Sequence, residues 1–168
     1  QLGNVGWSWE DVLPYFKKSE DNQEGEDNFH GVGGPLKVEK MRASFKVLDL
    51  FMEAAEEFGY HKTSDFNTGN NEGIGYFPLN VKNGFRCSSA VGYLNPIKKR
   101  KNLKILTNAH IKNIEFENKK AISVNFWKNN QLLNVKTNKE IILSAGTIGS
   151  PHILQASGVG PGALLKKN

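Results

Sequence analysis

The sequence predicts an α+β fold that combines an α/β part with an antiparallel sheet. Three observations support this class. Apolar residues recur at helical spacing over residues 44–58, alternate with polar residues over residues 109–136, and form a continuous run at residues 141–143 that is followed by small residues. Helical and strand-like patterns together indicate a mixed fold.

Length and composition suit a globular protein with a core of its own. The chain has 168 residues, is 38% hydrophobic and has a mean hydropathy of −0.49. No apolar run approaches the roughly 18 residues that span a membrane, so no transmembrane segment is predicted, and no signal-peptide pattern is visible. The chain begins at Gln1 and ends without a closing element, and we expect it to be an internal piece of a longer protein.

Charge and cysteine content argue against several kinds of site. The net charge is +5, and the densest basic run is residues 98–101. This run follows Pro96 and has no aromatic residues between its charges, so a solvated connection is favoured and no nucleic-acid partner is predicted. Cys87 is the single cysteine, so neither a disulfide nor a cysteine-based metal site can form within the chain.

The first predicted element is a helix that begins after Ser8. Ser8 is a suitable N-cap, and Asp11 stands at the third helical position, where a negative charge is favourable. Pro14 removes a hydrogen bond from such a helix, so either the helix kinks there or its regular part begins near Leu13. The acidic residues 19–28 that follow are predicted to form an exposed loop.

A glycine-rich turn at residues 30–35 leads into a predicted alternating strand at residues 36–39. The turn lacks the Walker spacing and its Lys-Ser/Thr pair, and no helix follows it, so a phosphate-binding loop is not predicted. The clearest helix spans residues 44–58 and ends at Gly59, with an apolar stripe that is predicted to lie in the core. The stripe consists of Phe45, Leu48, Phe51, Ala55 and Phe58.

The middle of the chain is predicted to contain a loop and a hairpin. Residues 63–75 are rich in Asn, Gly and Asp, which favours a loop. Residues 76–81 are predicted to form a strand, and Pro78 indicates that this strand lies at an edge or carries a bulge. The pair Asn83-Gly84 then predicts a tight hairpin turn.

A short helix and four strands are predicted next. The helix is capped by Ser88, reaches Leu94 and ends at Pro96. In the strands apolar and polar residues alternate, and asparagines supply the turns between the later ones. The strands are predicted at residues 103–107, 109–116, 121–127 and 131–136.

The last stretch is the most informative part of the sequence. Its apolar run at residues 141–143 suits a strand buried on both faces, and Ala145 and Gly146 follow where another group could approach the backbone closely. In open α/β sheets, ligands lie beyond the carboxyl ends of the strands. A helix with Ser150 as its N-cap is predicted to follow and to end at Gly158. The alternative is a plain strand–turn–helix unit without a ligand.

This stretch resembles the second signature of the glucose–methanol–choline (GMC) oxidoreductases, which are FAD enzymes. Every constrained position of the signature is met. The matching residues are Gly146, Thr147, Ser150, Pro151, Ile153, Leu154, Ser157, Gly158, Val159 and Gly160. Residues 6–16 and 30–36 are also similar to segments of this family. One position departs from it, because the family commonly has Ala-x-Gly-Val where this chain carries Ser123.

The resemblance implies FAD as the cofactor and oxidation of a CH–OH group in a small alcohol or sugar, with a leaning towards the insect glucose-dehydrogenase-like branch. It places Ile111 where the family's main chain meets the adenine, and Ala145 and Gly146 where the last parallel strand closes on the adenosine. It also implies that residues 1–84 form a linker and part of the substrate-binding domain. Residues 85–168 would form part of the FAD-binding domain, with a small inserted antiparallel sheet.

The resemblance places the catalytic machinery outside this sequence. Neither the glycine-rich turn that binds the pyrophosphate nor the family's C-terminal histidine occurs in it, so no catalytic residue is predicted. The histidines present are expected to be surface or capping residues, and no metal site is predicted. They are His30, His61, His110 and His152. The alternative from another functional class is a GMC-like scaffold that has lost catalysis and serves as a binding or structural protein.

Overall fold

A computed structural model describes residues 3–166 and confirms the α+β class. The described chain divides into two compact units, of which the first ends at Leu103 and the second begins at Lys104. Within residues 3–166, no helix combines the length and the apolar character that crossing a lipid bilayer requires.

The first helix, α1 (Trp9–Ser19), begins where the sequence predicts. The Ser8 hydroxyl accepts a hydrogen bond from the Asp11 N–H at 3.4 Å, and the Asp11 carboxylate accepts one from the Ser8 N–H at 3.0 Å. This reciprocal capping box satisfies two N–H groups at the helix start. The helix runs through Pro14, so the regular part starts at Trp9 and not near Leu13.

Two short parallel strands follow α1. Strand β1 (Glu20–Asn22) pairs with β2 (Leu36–Val38), which confirms the strand predicted at residues 36–39. The exposed loop predicted for residues 19–28 is therefore wrong at β1. Acidic residues have low strand propensity, so the sequence pattern does not reveal β1. The loop between β1 and β2 stabilises this strand with additional hydrogen bonds.

The glycine-rich turn between β1 and β2 is held by carboxylates of β1. The Gly31 N–H donates to Glu20 at 3.0 Å, and the Gly33 N–H donates to Asp21 at 3.0 Å. The backbone at Gly31 passes so close to the Lys17 carbonyl that a Cβ would overlap with it, and Gly34 is packed in the same way against Glu20. The amides of this turn thus bind the protein's own side chains.

The predicted central helix is confirmed as α2 (Lys46–Glu57), with Gly59 in the left-handed region at φ 104° behind it. Its predicted burial is wrong. No residue of α2 is buried. Phe51 in the helix is 65% exposed, and Phe58, which directly follows the helix, is 84% exposed. Helical periodicity identifies the apolar side of a helix but not what covers it, and within residues 3–166 this side lines only an open groove of about 530 Å³.

The predicted hairpin forms between β3 (Val81–Lys82) and β4 (Phe85–Arg86). Asn83 and Gly84 have φ angles of 53° and 82°, as a type I′ turn requires. The strand predicted at residues 76–81 is wrong over most of its length. Only an isolated bridge between Leu79 and Glu39 precedes β3, because Pro78 has no N–H to donate to a ladder.

The predicted short helix is a π-helical segment, Ala90–Leu94, that continues into α3 (Asn95–Ile97). Ser88 accepts a hydrogen bond from the Val91 N–H at 3.4 Å, which confirms its capping role. The predicted end at Pro96 is wrong. Pro96 lies in the first turn of α3, where a missing N–H costs little.

The second unit contains an antiparallel sheet with the strand order β5-β6-β7, and three of the four predicted strands are confirmed. They are β5 (His110–Glu117), β6 (Lys120–Lys128) and β7 (Gln131–Lys136). Left-handed asparagines at the turns, with φ angles of 47° to 59°, make the connections tight. Ile114 and Phe126 form the buried core. Residues 103–107 pair with no strand in the described chain, so the strand predicted there is wrong.

The end of the chain differs from the prediction at two points. Residues 141–143 are not part of a sheet, and Ile142 is 79% exposed. A strand is held by hydrogen-bonded neighbours, and no described residue supplies one. Helix α4 (Gly146–Ala156) begins before the predicted cap at Ser150, and α5 (Gly162–Leu165) follows. Gly158, at φ 80°, ends α4 as predicted.

Candidate functional site

The turn into α4 forms an open corner that we call the Ala145–Gly146 corner. Ala145 has φ −88° and ψ 12°, and its N–H donates a hydrogen bond to the Ser150 hydroxyl at 3.0 Å. Gly146 has φ 80°, a conformation that favours glycine. Among residues 3–166, no atom beyond the neighbouring residues lies within 4 Å of the position that a Cβ on Gly146 would occupy. Both residues are exposed, so a flat group could lie directly against their main chain.

Aliphatic side chains stand on both sides of the corner in sequence. Ile142 precedes it and Ile148 follows it in α4, and Ile148 is 86% exposed. Adenine and ribose offer few charges, so their binding relies on main-chain groups and apolar contacts. An open main-chain corner next to exposed aliphatic residues therefore fits the adenosine half of FAD.

Strand β5 contains the other predicted cofactor contact. Ile111 is half-buried there and lies opposite Phe126 of β6. Helix α4 packs on β5 in the same unit. The Ile114 N–H donates to the Ser157 hydroxyl at 2.8 Å, and this hydroxyl donates to the Ile153 carbonyl at 2.6 Å. Helix α4 and strand β5 are thus in contact, and this hydrogen bond lies at the end of α4 opposite Ala145 and Gly146.

Ser123, the residue that departs from the family pattern, belongs to a network of polar side chains on the sheet. Ser123 is 1% exposed, donates to Glu115 at 2.5 Å and accepts a hydrogen bond from Asn134 at 3.0 Å. The Ser123 hydroxyl and then the Asn125 amide hold the pKa of Glu115 below its ordinary value, since both donate to the charged carboxylate. The network satisfies the buried hydroxyl, so the departure concerns structure rather than cofactor chemistry.

In the first unit, His30 is buried between two carboxylates, contrary to the expected surface or capping role. Its Nδ1 lies 3.1 Å from Glu20, and its Nε2 lies 2.9 Å from Asp65 in an ion pair that lacks hydrogen-bond alignment. Burial alone lowers the pKa of His30, but Glu20, Asp65 and Asp27 outweigh it and raise that pKa. Because these residues are scattered along the chain, no sequence spacing indicated the cluster.

The His30 cluster offers no site for a metal ion. Each ring nitrogen faces a different carboxylate, so the two sides do not converge on one point. Throughout residues 3–166, no group of three or more His, Cys, Asp or Glu side chains is arranged to hold a metal. The cluster therefore ties β1 to the loop at residues 63–75.

Comparison with known proteins identifies the family. The family model described as GMC oxidoreductase matches residues 1–168. Oxygen-dependent choline dehydrogenase from Brucella ovis is 36% identical over 168 residues, which cover 100% of this chain and 30% of the relative. The enzyme of the same name from Vibrio vulnificus is 39% identical over 170 residues, covering 99% of this chain and 30% of the relative. The chain thus spans about 30% of the length of these relatives.

Two solved structures resemble the chain closely. Pyridoxine 4-oxidase from Mesorbium loti has a TM-score of 0.88 and 31% identity, covering 98% of this chain and 32% of that one. An FAD-dependent oxidoreductase from Chaetomium thermophilum has a TM-score of 0.84 and 31% identity, covering 98% of this chain and 31% of that one.

The relatives refine the functional expectation. The curated ones named here are choline dehydrogenases, so they do not support the expected glucose-dehydrogenase-like branch. They are oxidoreductases that match along the whole described chain, and the alternative of an inactive scaffold is not favoured. The chain belongs to the GMC oxidoreductase family, whose members are FAD-binding flavoproteins.

Proposed function

We propose that this chain is part of an FAD-dependent oxidoreductase that oxidises a CH–OH group of a small alcohol. The family membership and the names of the relatives support this class of reaction. Choline and pyridoxine, the compounds named for two relatives, are both alcohols, and we propose substrates of this size and kind. A small sugar is the second candidate.

The observation that carries the proposal is the Ala145–Gly146 corner. Gly146 is the first residue of the family signature, Ala145 directly precedes it and carries only a methyl group, and the space over Gly146 is open. We propose that Ala145 and Gly146 bind the adenosine half of FAD through their main chain, and that the main chain of Ile111 meets the adenine. A bound FAD would supply the acceptor for the hydride of the alcohol carbon, with the hydroxyl proton going to a base. The role of these residues is to hold and orient the cofactor and to keep water from its apolar face.

We also propose a functional division of the chain. Residues 1–84 would form a linker and part of a substrate-binding domain, and residues 85–168 part of an FAD-binding domain. This division rests on the family resemblance, since the hairpin at Asn83 and Gly84 pairs β4 with β3 across the proposed boundary. The boundary between the compact units lies later, after Leu103.

The proposal is tested with the full-length protein that carries this chain. We expect the purified protein to show a flavin absorption spectrum that bleaches when choline, pyridoxine or glucose is added without oxygen. The compound that bleaches the flavin identifies the substrate class. A folded, colourless protein that gains no flavin spectrum on incubation with FAD would contradict the proposal. A flavin spectrum that no alcohol bleaches would favour the inactive scaffold instead.

A further inference from the structure

We infer that Ser157 is a positioning residue for the cofactor, because it fixes α4, and through α4 the Ala145–Gly146 corner, against β5. The inference rests on the proposed function, since it concerns the same FAD site. Ser157 itself is not placed in contact with the cofactor. It follows the last residue of α4, whereas the corner begins that helix.

The hydrogen bond between Ser157 and Ile114 occupies a position that the sheet leaves without a partner. Strand β5 lies at one edge of the sheet, so its outward N–H groups have no neighbouring strand in the described part of the second unit. The outward Ile114 N–H donates to Ser157, and Ile114 is buried. A buried N–H without an acceptor is costly, so the hydroxyl stabilises contact between α4 and β5.

The Ser157 hydroxyl acts through its two hydrogen bonds together. It accepts from Ile114 and donates to the Ile153 carbonyl of its own helix. The second bond orients the hydroxyl, so that its lone pair points at β5. A hydroxyl can make both bonds, while an alanine methyl can make neither. The two hydrogen bonds therefore give a physical role to the hydroxyl at this position of the signature.

The helix transmits this anchor to the corner. Helix α4 has 11 residues, which at 1.5 Å per residue corresponds to about 16 Å between its ends. No described side chain of α4 is buried, so few apolar contacts hold the helix in place. Loss of the hydrogen bond at the C-terminal end therefore allows the helix to tilt, and a small tilt displaces Ala145 and Gly146. Misplaced binding groups weaken binding.

The test compares Ser157→Ala and Ser157→Thr in the full-length protein. FAD affinity is measured by titrating the FAD-free protein and following flavin fluorescence. We expect Ser157→Ala to bind FAD about tenfold more weakly, which corresponds to about 1.4 kcal/mol. Ser157→Thr keeps the hydroxyl and should bind like the wild type. Ser19→Ala is the matched control, because Ser19 ends α1 and donates to the Phe16 carbonyl at 2.8 Å.

A second measurement reports the hydrogen bond without the cofactor. Amide hydrogen exchange in a β5 peptide that includes Ile114 should be faster in Ser157→Ala than in Ser157→Thr, even without FAD. Wild-type affinity in Ser157→Ala, or equal weakening in Ser157→Thr, would overturn the inference while leaving the proposed function intact. A wild-type protein that does not bind FAD would overturn the proposed function, and this inference with it.

Discussion

Replacing Gly146 with alanine should destabilise the start of α4 by about 1–2 kcal/mol. Gly146 has φ 80°, and an L-residue with a Cβ in left-handed backbone costs roughly 1–2 kcal/mol. No other part of the described chain comes within 4 Å of the position of the new Cβ, so steric contact adds nothing to this cost. The whole effect should therefore come from backbone strain.

Hydrogen exchange of a peptide that covers α4 measures this effect directly. A loss of 1–2 kcal/mol corresponds to about 5–30-fold faster exchange of the protected amides of the helix. Gly162→Ala is the matched control, because Gly162 also has open space around its Cβ position but lies outside the left-handed region. In α5 that change should be neutral or stabilising, since alanine has the higher helix propensity.

The same variant tests the Ala145–Gly146 corner as a cofactor site. The new methyl group would occupy the space where we propose that the adenosine lies, so FAD binding should weaken in Gly146→Ala and stay unchanged in Gly162→Ala. Exchange in α4 that is equal in Gly146→Ala and the wild type would refute the argument from backbone strain. Unchanged FAD affinity together with faster exchange would refute only the cofactor contact.

Three further predictions concern other parts of the chain. The folded-state pKa of His30 is raised, so its contribution to the free energy of unfolding is fully present below the ordinary value of 6.5 and is lost as the pH rises through the raised pKa. Urea unfolding at several pH values should show this loss, and His30→Gln should abolish this pH dependence. Ser8→Ala should destabilise α1 by about 1 kcal/mol, seen as faster exchange there but not in α2. Ser123→Ala should raise the pKa of Glu115 in an NMR titration, and an unchanged pKa would contradict the network.

The features that were predicted correctly depend on local chemistry. Ser8 caps α1, Asn83 and Gly84 make a hairpin turn, and Gly158 ends α4, each through hydrogen bonds or φ angles set within a few residues. Alternating apolar residues also located the three strands of the second unit, because β5, β6 and β7 are consecutive and joined by short turns. The family signature likewise lies in one continuous stretch.

The features that were missed depend on distant partners. Residues 141–143 have a strand-like composition, but a strand exists only where a neighbour pairs with it. The apolar stripe of α2 predicts a place in the core, but burial depends on what packs against the helix. His30 meets Glu20 and Asp65 only after β1 and a later loop have folded around it. No local sequence pattern predicts such contacts between residues that are distant in sequence.

The tight glycine turn between β1 and β2 limits how this protein can be engineered. The backbone there leaves no volume at Gly31 or Gly34 for even a methyl group, and its amides are already bound by Glu20 and Asp21. Tags, reporter groups or grafted recognition loops should therefore not be inserted at this turn. The exposed connections at Asn118 and Asn129 are better insertion points, since their neighbours are open to solvent and only the local turn geometry must be rebuilt.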